Sequence, residues 1–232
     1  MPPAFVQGAT TGYTNSGTFG LAFPSGNTLG NLIIVFGSNF GSAATISDTN
    51  SNSYSQLSNL NVADPTHGYQ PVWYAFNCAS GANTVTVVSG ALASAALLIA
   101  EYSGISTTSP LDQSGTNSGS GGTTWTGPSL TTTHASELLL VIAYASPSGG
   151  PTTISSPFTA DETTTAGSFV VGILAENIVS STGTYQATGA YVFGSYGITM
   201  ATFIGASASF HPDEDYPPRM TQLPFDPSIT VY

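Results

Sequence analysis

An acidic turn carries side chains of the kind that chelate calcium. Asp48, Asn50 and Asn52 follow the D-x-N-x-N spacing, in which alternate side-chain oxygens converge on one cation. A complete calcium loop also has glycine at its sixth position and a bidentate acid at its twelfth, where this sequence has Ser53 and Asn59. The three residues are therefore incomplete candidates for a metal site, and a turn rich in Asp and Asn is the simpler interpretation.

Two glutamates fall on predicted strands, as the carboxylate pair of a glycoside hydrolase does. They are Glu101 and Glu176, and nothing in their spacing makes them neighbours. The sequence has no nucleophile elbow, phosphate-binding loop or Cys/His zinc spacing. The histidines lie in three different polar segments, at His67, His134 and His211, and we interpret each as an exposed loop residue. We therefore predict no catalytic residue and no cofactor.

Aromatic side chains offer a possible binding chemistry, because an exposed ring stacks on sugars. The candidates for glycan stacking are Trp73 and Trp125. Aromatic residues of a β-sandwich more often serve the core or a subunit contact. A glycan site therefore requires that these two rings face solvent.

The charge pattern excludes several classes of partner. The chain of 232 residues has twelve acids, no lysine and a single arginine, Arg219, which gives a formal charge of −11. A phosphate-binding surface needs several Lys or Arg side chains, so we expect neither a nucleic-acid partner nor an anionic membrane partner. No apolar run approaches the ~18 residues of a membrane span. Cys78 is the only cysteine, and we expect a buried thiol.

Two apolar runs of strand length organise the predicted fold. Residues 31–36 read NLIIVF and residues 137–143 read ELLLVIA, each bounded by Gly, Ser and Thr. We interpret each run as a central strand that is buried on both faces. The residues expected in the core are Ile33, Val35, Leu139 and Val141.

The sequence around these runs repeats weakly. Residues 75–87 match residues 175–187 at an offset of 100, and the order of the other matches is kept. This pattern predicts an internal duplication of a four-strand unit, at about residues 29–106 and 129–206. Residues 106–128, rich in Gly, Ser and Thr, are interpreted as a connector.

β-Branched and aromatic residues between short polar turns predict an all-β protein. Two halves of about four strands favour a two-sheet β-sandwich, and the eight-strand jelly roll suits that count. A half on its own would expose apolar strands, and each buried large apolar side chain is worth roughly 1.5–3 kcal/mol. We therefore expect residues 1–206 to form a single β-sandwich domain with one shared core.

Four short motifs resemble known modules. They are AFVQG at residues 4–8, GNLIIV at 30–35, SD at 47–48 and AEYSG at 100–104. These motifs resemble those of jelly-roll-like all-β modules in phage virion proteins and bacterial surface proteins, over about residues 4–206. The resemblance implies the fold and supplies no catalytic residues.

Together these features favour a non-enzymatic structural protein. The resemblance, a surface-like composition and an N-terminus without signal-peptide features favour a capsid decoration, or cement, protein on the virion surface. We expect a homo-oligomer, with a trimer favoured, on the major capsid protein or another virion protein. Two alternatives stay open: a glycan- or receptor-binding module of a phage tail or bacterial cell surface, and a secreted surface-layer or filament subunit.

The last segment, residues 207–232, is predicted to be an extended C-terminal arm. Its five prolines disfavour both helix and sheet. Its large apolar side chains and its arginine are unusual for a disordered tail. We expect it to contact a neighbouring subunit or the capsid through Phe210, Tyr216, Arg219, Met220, Leu223, Phe225, Ile229 and Tyr232.

Overall fold

The computed structural model describes residues 1–11, 17–61, 68–89, 95–146, 151–166, 170–192 and 194–207. Every regular element in these ranges is a strand, which confirms the prediction of an all-β protein. The eight residues predicted to make contacts from the arm lie outside the described residues. Within those residues no helix is both long and apolar enough to cross a membrane.

In the described residues, eight strands make up the first half of the chain. They are β1 (Ala4–Thr10), β2 (Thr18–Ala22), β3 (Leu32–Ser38), β4 (Thr45–Asp48), β5 (Ser55–Asn61), β6 (Tyr69–Ala75), β7 (Thr84–Val88) and β8 (Ala96–Ser103). Five of them form one antiparallel sheet in the order β1-β8-β3-β6-β5. The other three form a second sheet in the order β2-β7-β4.

The described part of the second half contains ten strands. They are β9 (Leu111–Ser120), β10 (Thr124–Thr126), β11 (Leu130–Thr131), β12 (Glu137–Ser146), β13 (Pro151–Ile154), β14 (Thr159–Ala166), β15 (Val170–Val179), β16 (Thr184–Tyr185), β17 (Thr188–Tyr191) and β18 (Ser195–Ile204). Their sheets have the orders β14-β15-β12-β18-β9 and β10-β17-β13, with β11 and β16 as a separate pair.

The two halves have the same strand order. Replacing β1, β8, β3, β6 and β5 by β9, β18, β12, β15 and β14 turns the first five-stranded sheet into the second. The three-stranded sheets correspond in the same way. The predicted four-strand unit was too small, because β1, β2, β9 and β10 belong to the repeated pattern. The connector predicted at residues 106–128 was also wrong, since β9 and β10 lie there.

β-Bulges recur at equivalent places in both halves. The extra residue is Val6 in β1 and Asp112 in β9, and it is Leu57 in β5 and Asp161 in β14. A bulge is a positional feature of a sheet that letter matching does not detect. Its recurrence therefore supports the internal duplication independently of the sequence.

Strand register corrects the alignment of the two halves. Ile33 pairs with Ala75 in the first half, and Leu139, the counterpart of Ile33, pairs with Asn177 in the second. Ala75 therefore corresponds to Asn177, two residues beyond the match expected from the offset of 100. The expected alignment had followed Thr, Ser and Ala, which are abundant throughout this chain.

Hydrophobic clusters place the sheets in layers. The central cluster draws on both five-stranded sheets, with Leu32 and Ile34 of β3 in the same cluster as Leu138 of β12. The alternate residues of these strands face outward and pack under the three-stranded sheets. Ile33 and Val35 lie under β2-β7-β4, and Leu139 and Val141 lie under β10-β17-β13, each with 0 % exposure. The four predicted core residues are confirmed, as is the buried thiol of Cys78.

The contact between the halves is reciprocal. Strand β5 lies against β18, and β14, the counterpart of β5, lies against β8, the counterpart of β18. The hydroxyls of Ser58 and Thr199 form a 2.7 Å hydrogen bond at the first contact. At the second contact the Tyr102 hydroxyl donates to Asp161 Oδ2 at 2.6 Å. Reciprocity of this kind is the pattern of a pseudo-two-fold axis.

Truncation of Leu139 tests whether β12 is central. We expect Leu139→Ala to lower the free energy of unfolding by ~2–5 kcal/mol, because transfer and cavity terms add at a fully buried position. The matched control is Leu29→Ala, since Leu29 is 70 % exposed and its loss should cost less than ~0.5 kcal/mol. Urea melts measure both. A loss of less than about 1 kcal/mol for Leu139→Ala would place β12 at the periphery.

Candidate functional site

A fully buried carboxylate ties together the open end of the first half. Glu101 on β8 accepts hydrogen bonds at Oε1 from the Thr28 amide at 2.8 Å and from Asn31 Nδ2 at 2.6 Å. At Oε2 it accepts from Asn27 Nδ2 at 2.7 Å and from Gln7 Nε2 at 2.6 Å. A buried charge is tolerated when donors surround it, and here four donors saturate both oxygens. Glu101 is therefore a structural tie between β1, β8 and the turn before β3.

The structure does not bring Glu101 and Glu176 together. Successive side chains of a strand point to opposite faces. Glu101 shares its face with Ile99, which packs under the outer three-stranded sheet. Glu176 shares its face with Leu174, which belongs to the central cluster between the halves. The two carboxylates therefore do not flank a common cleft, and this pair has no glycoside-hydrolase geometry.

Acidic side chains do meet at the contact between the halves, in a group we call the seam cluster: Tyr102, Asp161, Glu162 and Glu176. Burial raises the pKa of Asp161 to about 6, although the hydrogen bond from Tyr102 opposes the rise. Burial, together with the charge of Asp161, raises the pKa of Glu176 to about 7. Burial also raises the pKa of Glu162 and that of Tyr102. The seam cluster therefore holds protons near neutral pH that ordinary carboxyls release.

The end of the second half that corresponds to the Glu101 site has a different set of side chains. Glu137 occupies the position of Asn31, and Thr202 occupies that of Glu101. Asp112 is the bulged residue of β9, and a bulge redirects a side chain. Ligand atoms of Asp112, His134 and Glu137 all lie within 4.8 Å of one another. We call these three residues the strand-end cluster.

Hydrogen bonds position the members of the strand-end cluster. The amide and the hydroxyl of Thr133 each donate to Asp112, at 2.7 Å. The same hydroxyl lies 2.9 Å from Nδ1 of His134. The amide of His134 donates to Glu137 Oε1 at 2.9 Å, and His134 Nδ1 lies 3.8 Å from that oxygen. Thr133 therefore links the imidazole of His134 to the carboxylate of Asp112. The backbone amide of His134 links the same residue to the carboxylate of Glu137.

The two carboxyls of the strand-end cluster titrate in opposite directions. Burial tends to raise the pKa of Asp112, but the hydrogen bonds from Thr133 outweigh it and hold the pKa below its usual value. Burial raises the pKa of Glu137, and the nearby Asp112 carboxylate adds to the rise while Thr202 and the His134 amide oppose it. Glu137 is completely buried, and its Oε2 has no hydrogen-bond partner among the described residues.

The turn at Asp48, Asn50 and Asn52, the incomplete candidate for a metal site, is closed by hydrogen bonds. Asp48 Oδ1 accepts from the Asn52 amide at 2.9 Å, and Oδ2 accepts from Asn52 Nδ2 at 2.7 Å, Tyr54 Oη at 2.8 Å and Asn83 Nδ2 at 3.0 Å. These bonds hold the pKa of Asp48 below its usual value, although burial opposes them. Asn50 donates to the Gly81 carbonyl at 3.4 Å. Both carboxylate oxygens of Asp48 therefore already have partners, as expected for an Asx turn.

The tryptophans considered for glycan stacking are core residues, so that prediction is wrong for both. Trp73 is 4 % exposed and packs under β2-β7-β4. Trp125 is 1 % exposed and packs under β10-β17-β13. Burial leaves neither ring a free face for a sugar. The sequence held a signal for this outcome, because Trp125 occupies the position of Phe19, another buried residue.

Of the three histidines, the structure describes His134 only, and its side chain is 52 % exposed. It is a loop residue as predicted, but its proximity to two carboxylates was missed. The signal that could have revealed the cluster is Glu137, an acid at the first position of an otherwise apolar strand. Its counterpart in the first half is Asn31. The side chain of Asn31 both donates and accepts hydrogen bonds, whereas the carboxylate of Glu137 only accepts them.

No family model, curated protein or solved structure matches this chain. Its activity must therefore be inferred from its own surfaces and buried polar groups. The described sites divide into carboxylates whose donors are complete, at Asp48 and Glu101, and acidic groups that hold protons or lack donors, in the seam and strand-end clusters.

The seam cluster predicts that stability increases as the pH falls from about 8 to about 5. Because the native pKa values of Asp161 and Glu176 are about 6 and 7, the folded state binds more protons than the unfolded chain, whose carboxyls titrate near ~4. This stabilisation is present below the unfolded pKa and is lost as the pH rises through the native values. Thermal melts across this range measure it.

Two variants identify the source of that pH dependence. Glu176→Gln and Asp161→Asn keep the shape of the side chain but remove the titrating proton. In each variant the melting temperature should therefore fall less than in the wild type as the pH rises from about 5 to about 8. Asp48 and Asp112 act in the opposite direction but only at more acidic pH, since their pKa values are lowered. A wild-type melting temperature that stays level or rises between about pH 5 and 8 would show that the seam carboxyls have the same pKa values in the folded and the unfolded chain.

Replacement of Glu101 tests the structural tie. Glu101→Gln should lower the free energy of unfolding by about 3 kcal/mol or more, because the new NH₂ faces donors and each unsatisfied buried group costs ~1–3 kcal/mol. Glu162→Gln removes the same charge from a half-buried carboxyl whose pKa is raised, and it should be close to neutral. Chemical denaturation of both variants makes the comparison. Equal effects would indicate that net charge, rather than the donor set, controls stability at Glu101.

Proposed function

We propose that this chain is a non-enzymatic structural protein, most specifically a decoration, or cement, protein that oligomerises on the surface of a phage capsid. The observation that supports this proposal best is the tandem arrangement of two equivalent β-units. Each unit has its own apolar core, and a third core joins the two. A layered β-body of this kind is a rigid spacer with two equivalent outer faces.

The strand order supports a jelly-roll assignment for each half. In an eight-strand jelly roll two Greek keys place strands 1, 8, 3 and 6 in one sheet and strands 2, 7, 4 and 5 in the other. The first half has β1-β8-β3-β6 and β2-β7-β4 in this order, and β5 pairs with β6 instead of β4. We infer two jelly-roll units, each larger than the predicted half. Jelly rolls are common in viral capsid proteins.

The surface composition suits a solvated assembly that does not bind nucleic acid. Strand β9, LDQSGTNSGS, lies at the edge of its sheet with mostly exposed Ser, Thr, Asn and Gly. An edge strand invites pairing with other chains, and such polar side chains give it no apolar surface to bury. The formal charge of −11 opposes contact with a packaged genome.

The buried polar groups support a structural role over the alternatives. The carboxylates of Glu101 and Asp48 are occupied by hydrogen bonds that close turns. The indoles of Trp73 and Trp125 are in the core, so they do not provide the exposed rings that the glycan-binding alternative requires. The proposal therefore treats the chain as a module that binds through protein surfaces.

The arm is the proposed contact with a second subunit or with the major capsid protein. Residues 208–232 combine prolines with large apolar side chains, and prolines reduce the conformational entropy lost on docking. Arg219 is the only Lys or Arg residue of the chain. Its guanidinium can pair with a carboxylate of a neighbouring subunit. The sequence SITVY at residues 228–232 alternates like a strand that adds to a sheet edge.

Truncation after Ser207 tests the proposal. We expect the truncated chain to stay folded, to lose its oligomeric state in light scattering and to lose co-sedimentation with virions of the phage that encodes it. The full chain with Arg219→Gln is the intermediate variant, because it removes one ion pair and keeps the apolar contacts. A truncated chain that still oligomerises and binds virions as the full chain does would show that the arm is not the assembly device. Detection of the full chain only in cell-surface fractions would favour the surface-layer alternative.

A further inference from the structure

We propose that Asp112, His134 and Glu137 bind one divalent transition-metal ion of the Zn²⁺ class where β9 and β12 begin. The three side chains present two carboxylates and one imidazole whose ligand atoms lie within 4.8 Å of one another. Zinc accepts nitrogen and oxygen ligands and is often held by three side chains with a water molecule in the fourth position. The proposal concerns the second half only and does not depend on the role of the chain on a capsid.

The first half is an internal reference for this site. There the amide of Thr28 donates to a buried carboxylate, and three side-chain amides complete its shell. In the second half the amide of His134, the counterpart of Thr28, donates to a buried carboxylate in the same way. The backbone arrangement is therefore retained, while the side chains that surround the carboxylate have changed.

The change replaces donors by acceptors. Asn31, a donor to Glu101, has become Glu137, and Val6 at the bulge has become Asp112. Asn27, another donor, pairs with Gly81, and the residue in the corresponding place opposite Gly183 is Thr132. The next residue, Thr133, has a hydroxyl and an amide that both donate to Asp112. As a result the completely buried Glu137 retains an oxygen, Oε2, without a hydrogen-bond partner among the described residues. A buried carboxylate oxygen that lacks a donor beside a second carboxylate is a site for a cation.

The cluster is held in place without an ion. The Gly205 amide donates to the Ser136 carbonyl at 2.8 Å, and the Thr132 amide donates to the Gly183 carbonyl at 3.0 Å. These bonds fix both ends of the turn that carries His134. Thr133 orients Asp112 and contacts the imidazole, as the outer-shell partners of metal ligands do. The backbone of the turn that carries His134 is therefore fixed by hydrogen bonds that do not involve an ion.

The ligand set and the access route select the class of ion. Imidazole suits zinc and other transition metals, whereas Ca²⁺ and Mg²⁺ prefer oxygen ligands alone. A groove of about 490 Å³ opens beside the cluster and touches it at His134; its other lining residues are Met1, Pro2, Ala135, Ser136 and residues 204–207. The imidazole therefore lies where an ion from solvent would meet it first. A bound ion would then join β9 and β12 next to the point at which the chain leaves β18 for the arm.

Titration of the full chain with Zn²⁺ tests the site. Isothermal calorimetry should show one ion per chain, and the melting temperature should rise with Zn²⁺ because the ion binds the folded state. Ca²⁺ and Mg²⁺ should give no comparable shift. Co²⁺ in place of Zn²⁺ should give the visible absorption of a cobalt ion with nitrogen and oxygen ligands.

The variants separate this site from other places that bind metals. Asp112→Asn and His134→Gln alter partly or largely exposed side chains, so they should fold as the wild type does and weaken Zn²⁺ binding at least ~10-fold. Glu137→Gln should do the same if it folds. His211→Ala is the matched control, since His211 stands beside the acids at residues 213–215 in the arm sequence. Undiminished binding in Asp112→Asn and His134→Gln, loss of binding in His211→Ala, or a response to Ca²⁺ without one to Zn²⁺ would each overturn the proposal.

Discussion

The burial of β3 and β12 on both faces is the constraint on which the rest of the structure depends. All seven residues of β3 are buried, and so are the first nine residues of β12. A strand of this kind needs apolar cover on two sides, and a single sandwich covers only one side of each sheet. The chain meets the requirement by placing a three-stranded sheet outside each five-stranded sheet and the two five-stranded sheets against each other. The layers therefore follow from two short apolar runs, and the duplication supplies the partner that each run requires.

The two halves share a strand order, but their polar ends differ. A buried carboxylate lies on β8 in one half and on β12 in the other. In each half it accepts a hydrogen bond from a backbone amide shortly before the central strand: Thr28 is four residues before β3 begins, and His134 is three residues before β12 begins. In the first half side-chain amides complete its shell, so that both oxygens of the carboxylate have donors. In the second half a second acid comes close to it from the bulge. The two halves therefore share their apolar layers and differ in the polar groups that close this end.

The sequence predicts the strands that have a continuous apolar run. It misses the strands that are held only by backbone hydrogen bonds to a neighbouring strand. Ile33, Val35, Leu139 and Val141 were predictable because a continuous apolar run has few alternatives to a buried strand. Strand β9 was not, because an exposed edge strand is held by its backbone and needs no apolar residues. Glu101 was recognised as a carboxylate on a strand, but its donors Gln7, Asn27 and Asn31 come from distant segments. The matched apolar runs already set Glu137 against Asn31, but only the structure shows that Asn31 donates to a buried carboxylate.

The positions of the acids differ between the two halves. Both bulges of the first half hold an apolar residue, Val6 or Leu57, and both bulges of the second half hold an aspartate, Asp112 or Asp161. A bulge turns its extra residue away from the regular alternation of the strand, so a new side chain there changes the surroundings of the sheet without disturbing its core. Asp112 faces the buried Glu137, and Asp161 accepts a hydrogen bond from Tyr102 of the other half. The bulges are thus positions at which the two halves differ in chemistry, with ionisable side chains in the second half and apolar side chains in the first.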